Sequence, residues 1–234
     1  MRKDSPRKLV IAIDGPAGAG KSTLASRLAR KLGYINIETG AMYRALALKA
    51  IESGVSLDDE EALVRLAERS QIELEPVVDG NRVRLDGRDV SERVREQDVT
   101  DAASRVSIHP QVRAWMVARQ REMGVAGGVV MEGRDIGTKV FPDADVKIFL
   151  DAAPEVRGGR RFLQAPEASV PRQSAEVIAE LRQRDQRDRT RAASPLVPAQ
   201  DAVIIDSTNL NIEQVVERAE SILAEKQKAP GPRK

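Results

Sequence analysis

The chain has 234 residues, enough for one domain, or one domain carrying an insertion, around a sizeable core. Its 38 Lys and Arg nearly cancel 36 Asp and Glu, and one Trp, two Tyr and three Phe are too few for stacking platforms, so no polybasic or aromatic-lined nucleic-acid binder is indicated. Cysteine is absent and His109 is the single histidine, which excludes disulfides, thiolate nucleophiles, Cys-ligated zinc and a multi-histidine metal site.

Residues 1–8 are polar and charged and read as a loose start, with no apolar stretch and cleavage site behind them. No apolar run approaches about 18 residues, so the expectation is a soluble, cytoplasmic protein with no membrane partner. Residues 9–13 (LVIAI) form a continuous apolar run, the pattern of a strand buried on both faces of a parallel sheet. Helical spacing follows over 24–32. Residues 71–90 (QIELEPVVDGNRVRLDGRDV) break the rhythm: Asp79-Gly80 and Asp86-Gly87 are hairpin signals between short β-rich pieces. They predict a small antiparallel subdomain inserted over about 63–99. Further buried strands are expected at 128–131, 146–150 and 202–205, with helices at 154–162, 174–191 and 212–224. Residues 226–234 (KQKAPGPRK) read as a disordered tail. Strand–helix alternation implies an α/β sandwich with a parallel central sheet and helices on both faces.

Residues 15–22 (GPAGAGKS) fit G-x-x-x-x-G-K-[ST] without exception, with a buried strand before them and an amphipathic helix after. Glycines let successive backbone N–H groups turn inward around phosphates, and the helix N-terminus adds partial positive charge. Lys21 is placed to reach the β- and γ-phosphates, and the Ser22 hydroxyl to ligate Mg²⁺. No Asn-Lys-x-Asp or Leu-Ser-Gly-Gly-Gln occurs, so neither a GTPase nor a transporter-type ATPase is indicated. A small-molecule kinase needs a second anion site facing the first, because the acceptor must meet the γ-phosphate in line.

Arginines can build that site. Thr39 opens TGAMYR, which delivers Arg44, and EGRD at 132–135 follows the 128–131 strand, at the strand end where ligands bind in such sheets. Residues 182–191 (RQRDQRDRTR) hold five arginines and two aspartates. Arg184, Asp188 and Arg191 share one helical face at i, i+4 and i+7, with Arg187 offset. Pro166 and Pro171 before this helix, and Pro195 and Pro198 after it, give 165–195 the makings of a mobile lid that excludes water and brings guanidinium groups onto the transferring phosphoryl.

The phosphate loop, TGAMYR, GRDIGT at 133–138, FPDA at 141–144, the Arg/Asp-rich stretch and IDST at 205–208, in that order, resemble the bacterial cytidylate kinases, P-loop nucleoside monophosphate kinases, from about residue 9 to about 223. The 71–90 insertion is also a feature of that family. The resemblance implies a P-loop NTPase sandwich that moves the ATP γ-phosphate to CMP or dCMP with Mg²⁺, as a monomer. Gly15, Pro16, Ala17, Gly18, Ala19, Gly20, Lys21, Ser22 and Thr23 would then hold the ATP phosphates, with Arg160 and Arg161 near them at the lid root. Thr39 joins the acceptor side, where Arg44, Arg134 and Arg191 would bind the acceptor phosphate. Ser104, Arg113 and Asp135 look like the base-reading set, and Arg184 and Asp188 match ribose contacts. Lys21, Arg134, Arg184 and Arg191 would stabilise the transfer itself.

The chain departs from the family at Glu38 and Glu132, where Asp is frequent; both keep the charge with a longer reach. His109, before Pro110 at a helix start, matches no catalytic role. Two other readings remain at this point: a P-loop kinase for a different small acceptor, and a non-catalytic nucleotide-sensing or RNA-associated protein.

Overall fold

The computed structural model describes residues 8–77, 80–164 and 174–228. The start of the 1–8 segment, the end of the 226–234 tail, Asp79, and the first part of the expected lid, 165–173 with Pro166 and Pro171, lie outside the described residues.

Five parallel strands form the main sheet: β1 (Val10–Asp14), β2 (Ile35–Glu38), β6 (Val129–Gly133), β7 (Val146–Asp151) and β8 (Val203–Asp206), in the order β2-β6-β1-β7-β8. Strand β1 is central, with Ile11 opposite both Val130 and Val146. Its residues face two cores in alternation. Ile11 and Ile13 pack with Leu24 and Leu28 of α1 (Lys21–Leu32) and Ala219 and Leu223 of α8 (Ile212–Lys228). Ala12 faces the opposite side with Ile37, Met131 and Ile136. This double burial is what the unbroken apolar run predicted.

Strand β2 had no such signal. Its text, INIE, alternates polar and apolar residues, and at the sheet edge Ile35 is exposed. The helix that follows, α2 (Thr39–Glu52), was also hidden, because it is buried almost all round and so lacks an amphipathic period. Helix α2 is the spine of a separate apolar core, Leu46 and Leu48 among its members. Around it pack α3 (Glu60–Glu68), α4 (Gln97–Val106) and α5 (Pro110–Gly124), with the buried side of a three-stranded antiparallel sheet, β3 (Ile72–Val77), β4 (Gly80–Leu85) and β5 (Arg88–Asp89). The Asp86-Gly87 turn appears as predicted, both residues at positive φ (50° and 78°).

This insert is fastened to the main sheet by Asn81 of β4. Its side-chain amide donates to Asn36 O (2.8 Å) and accepts from Glu38 N (2.9 Å), as a neighbouring strand would. Helices α6 (Pro154–Gln164) and α7 (Ser174–Thr190) complete the far side and pack on each other, so closely that a Cβ on Gly158 would lie 2.4 Å from Ile178 Cγ1.

Candidate active site

The phosphate loop joins β1 to α1, and at its first glycine the backbone leaves no room for a side chain. Gly15 has φ 147°, and a Cβ there would lie 2.0 Å from Leu150 O. Gly20, at φ 99°, is the N-cap of α1. Lys21 is buried and donates to Pro16 O at 2.7 Å. Burial first, then Arg134 and Arg184, push its pKa down to about 7, against the pull of Glu132 and Asp14. A lysine so sealed from solvent and crowded by two arginines is poised for an anion.

The end of β6 closes over this loop. Glu132 accepts from Ser22 Oγ at 2.8 Å, and its backbone carbonyl accepts from Thr39 Oγ1 at the same distance. Burial pushes the Glu132 carboxyl up, with Lys21 opposing. The other acidic departure sits differently: Glu38 pairs with Arg44 at 2.5 Å. Burial would raise its carboxyl, but the Arg44 charge holds it below the usual range. Longer reach thus serves two purposes, Glu132 toward the phosphate loop and Glu38 toward Arg44.

After β6 the chain makes one wide π-turn, Ile136–Val140, anchored by Asp14, whose carboxylate accepts from Ile136 N (2.8 Å) and Gly137 N (2.7 Å). Burial pushes Asp14 up to about 6, with the Gly137 and Ile136 N–H groups opposing. The anchored turn presents Asp135. Its carboxylate pairs with Arg113 of α5 at 2.6 Å, and both side chains are nearly sealed from solvent. The Arg113 guanidinium lies over the Tyr43 ring, 5.4 Å from its centre, and donates to Ser107 O at 3.1 Å. Ser104 Oγ of α4 and Arg113 Nε are buried with no hydrogen-bond partner among the described residues.

Helix α7 carries Arg184 and Asp188, and Arg191 follows its last residue. Asp188 is buried and accepts from Arg134 Nε (3.0 Å) and Arg191 Nη1 (3.2 Å). Burial would raise its carboxyl, yet Arg134, Arg184 and Arg191 hold it down. Arg191 also donates to Ser194 O at 2.7 Å, and its Nη2 is buried without a partner among the described residues. Asp188 is therefore the hub that sets two arginines, Arg134 and Arg191. The Arg184 charge acts on Lys21 of the phosphate loop, and Arg184 lines a cleft of about 290 Å³ with Thr100 and Asp101 of α4.

The lid-root arginines divide. Arg160 donates to Ala19 O (3.3 Å), Ser207 Oγ (3.0 Å) and Ser207 O (2.8 Å), so it clips the phosphate loop to the end of β8. Arg161 belongs to α6, but its side chain lies outside the described residues. Sequence reasoning passed over Arg157, which is buried and donates to Ala17 O inside the loop at 3.0 Å. The adjoining Gly158, which lets two helices approach, was the available signal. His109 keeps the structural role expected of it, its Nε2 2.8 Å from Leu57 O at the start of α5.

Among the described residues no three His, Cys, Asp or Glu side chains cluster as a metal site. No described helix is long and apolar enough to cross a membrane.

The site assembled by the fold has close counterparts. The cytidylate kinase family model matches residues 11–225. A cytidylate kinase of Syntrophotalea carbinolica is 48% identical over 97% of this chain and 97% of its own length. One from Solibacter usitatus is 50% identical over 93% of each. A shikimate kinase structure from Bacteroides thetaiotaomicron is far more distant, with a TM-score of 0.49 at 15% identity, covering 92% of this chain and 98% of that one. Matched nearly end to end by a family and its members, this chain belongs to the cytidylate kinases.

Proposed function

We propose that the chain transfers the γ-phosphoryl group of ATP to CMP and dCMP, giving ADP with CDP or dCDP. The observation that carries the acceptor is the buried Arg113–Asp135 pair beside the unpartnered Ser104 hydroxyl. Cytosine offers an exocyclic amine as donor and a ring nitrogen as acceptor; uracil offers the reverse. A carboxylate taking the amine hydrogen, with Arg113 or Ser104 donating to the ring, matches cytosine and leaves groups unpaired against uracil. Each such buried mismatch costs on the order of 1–3 kcal/mol.

The transfer itself needs alignment and charge neutralisation more than a strong base. The loop N–H groups and Lys21 hold the donor phosphates, while Arg44, Arg134 and Arg191 hold the acceptor phosphate. Arg184 and Lys21 face the charge that develops between them. Lid residues on α7 exclude water from the gap. For Mg²⁺, the Ser22 hydroxyl and the Glu132 carboxylate offer the oxygen donors this hard ion takes, with waters and phosphate oxygens for the rest. When bound, the ion neutralises phosphate charge. We extend the reading, on the family resemblance alone, to a monomeric, cytoplasmic enzyme of pyrimidine nucleotide metabolism.

The test is steady-state ADP release with CMP, dCMP, UMP, AMP and GMP offered separately. Strong turnover with the two cytidine nucleotides and little with the rest is expected. UMP turnover equal to that of CMP would leave a kinase but remove the base-reading role of Asp135 and Arg113.

Lys21 supplies a second expectation. With its pKa lowered from 10.5 to about 7, the empty site holds it neutral between those values, and phosphate charge restores its proton. Binding of ATP at about pH 8.5 should therefore take up a proton, read by calorimetry in buffers of different ionisation enthalpy. Lys21→Gln should abolish the uptake. The same uptake in that variant would assign the proton elsewhere.

A further inference from the structure

Helix α7 carries two buried aspartates that serve opposite sides of the site. Asp188 sets Arg134 and Arg191 on the acceptor side. Asp185, almost one turn earlier, pairs with Arg157 of α6 at 2.5 Å, with Arg157 3% and Asp185 11% exposed. Arg157 spends its remaining donors on Ala152 O, just past β7, at 2.8 Å and on Ala17 O at 3.0 Å. One guanidinium thereby joins the sheet, the phosphate loop and the lid helix.

Packing runs along the same line. Ala17 forms a small apolar cluster with Val177 and Leu181 of α7, the residues one and two turns before Asp185 on the same face. A Cβ on Gly18 would lie 3.1 Å from both the Cβ and the carbonyl oxygen of Arg157. The loop, α6 and α7 therefore have no slack between them.

The bond to Ala17 O also fixes a direction. A trans peptide is planar and its C=O and N–H point opposite ways. With the Ala17 carbonyl held by Arg157, the N–H of Gly18 is turned away from Arg157. An anion drawing on that N–H polarises the peptide and strengthens the carbonyl's bond to Arg157.

We propose that Arg157 and Asp185 are positioning residues that couple the phosphate loop to the lid, so that filling the donor site seats α7 and thereby sets the acceptor arginines. By linkage the effect is reciprocal: the acceptor tightens the donor by the same factor. An apolar pair of similar volume would hold the helices together as well, since a buried ion pair gives little net stability. What the charges add is a fixed relation between a loop carbonyl and a lid carboxylate.

The coupling rests on the donor and acceptor assignment above, and the test separates the two. CMP binding is titrated with and without saturating β,γ-imido-ATP and Mg²⁺, in the unaltered protein and in Asp185→Asn and Arg157→Met. The unaltered protein should bind CMP about 5- to 150-fold more tightly with the analogue present. In both variants that ratio should fall toward unity, while CMP binding without the analogue changes by less than about threefold. A merely structural pair would lower the melting temperature and leave the ratio intact, and an intact ratio overturns the proposal. So does a ratio of unity in the unaltered protein. Hydrogen exchange supplies a variant-free reading: the analogue alone should slow exchange of α7 amides in the unaltered protein. If CMP fails to bind at all, the acceptor assignment falls, and exchange in α7 decides the coupling by itself.

Discussion

Lys21→Ala should lower turnover on the order of 10³-fold or more while the empty protein melts no lower than before. The two halves have one cause. Lys21 sits buried with Arg134 and Arg184 acting on it, which is why its pKa falls from 10.5 to about 7 although a carbonyl accepts from it at 2.7 Å. A basic group whose folded pKa lies below its unfolded value binds protons less readily when folded. Below 10.5 it therefore works against the fold, and the cost levels off below about 7. Alanine removes that cost together with the charge that meets the γ-phosphate. Steady-state rates and a melting curve near neutral pH check both halves. Near-normal turnover would remove Lys21 from the transfer, and a large drop in melting temperature would show the lysine to be a structural support.

The second large effect is expected at Asp135. Asp135→Asn keeps the shape of the side chain but leaves Arg113 as a buried cation without its counter-charge. Breaking such a pair costs on the order of 3–5 kcal/mol. Urea unfolding should register that loss. Because an amide can donate as well as accept, the variant also stops discriminating against a pyrimidine carbonyl. The ratio of kcat/KM for CMP over UMP should fall about 10- to 100-fold, the equivalent of one unpaired buried group. An unchanged ratio in a folded variant would mean that Asp135 supports the π-turn and does not read the base.

Much of this site was legible in the text of the chain. The phosphate loop is announced by fixed glycines whose φ angles no other residue adopts cheaply, and β1, β6 and β7 by runs apolar enough for burial on both faces. Arg184, Asp188 and Arg191 followed from helical spacing. What escaped shares a different property. Helix α2 hides its period because the insert wraps it, and β2 hides because an edge strand of four residues needs little apolar text. Arg157 and Asp185 were missed because each, taken alone among the charges of its own helix, reads as a solvated charge. Only the fold shows that the two meet, nearly sealed from solvent, with a loop carbonyl on the same guanidinium.

Asn81 has a bearing on the solution behaviour of the protein. Strand β2 is the rim of the parallel sheet, and a rim with bare N–H and C=O groups is a template on which another chain can grow a strand. The Asn81 amide occupies Glu38 N and Asn36 O, so the rim is closed by a side chain at the point where it would otherwise be stickiest. The three-stranded insert thus guards the enzyme against edge-to-edge aggregation.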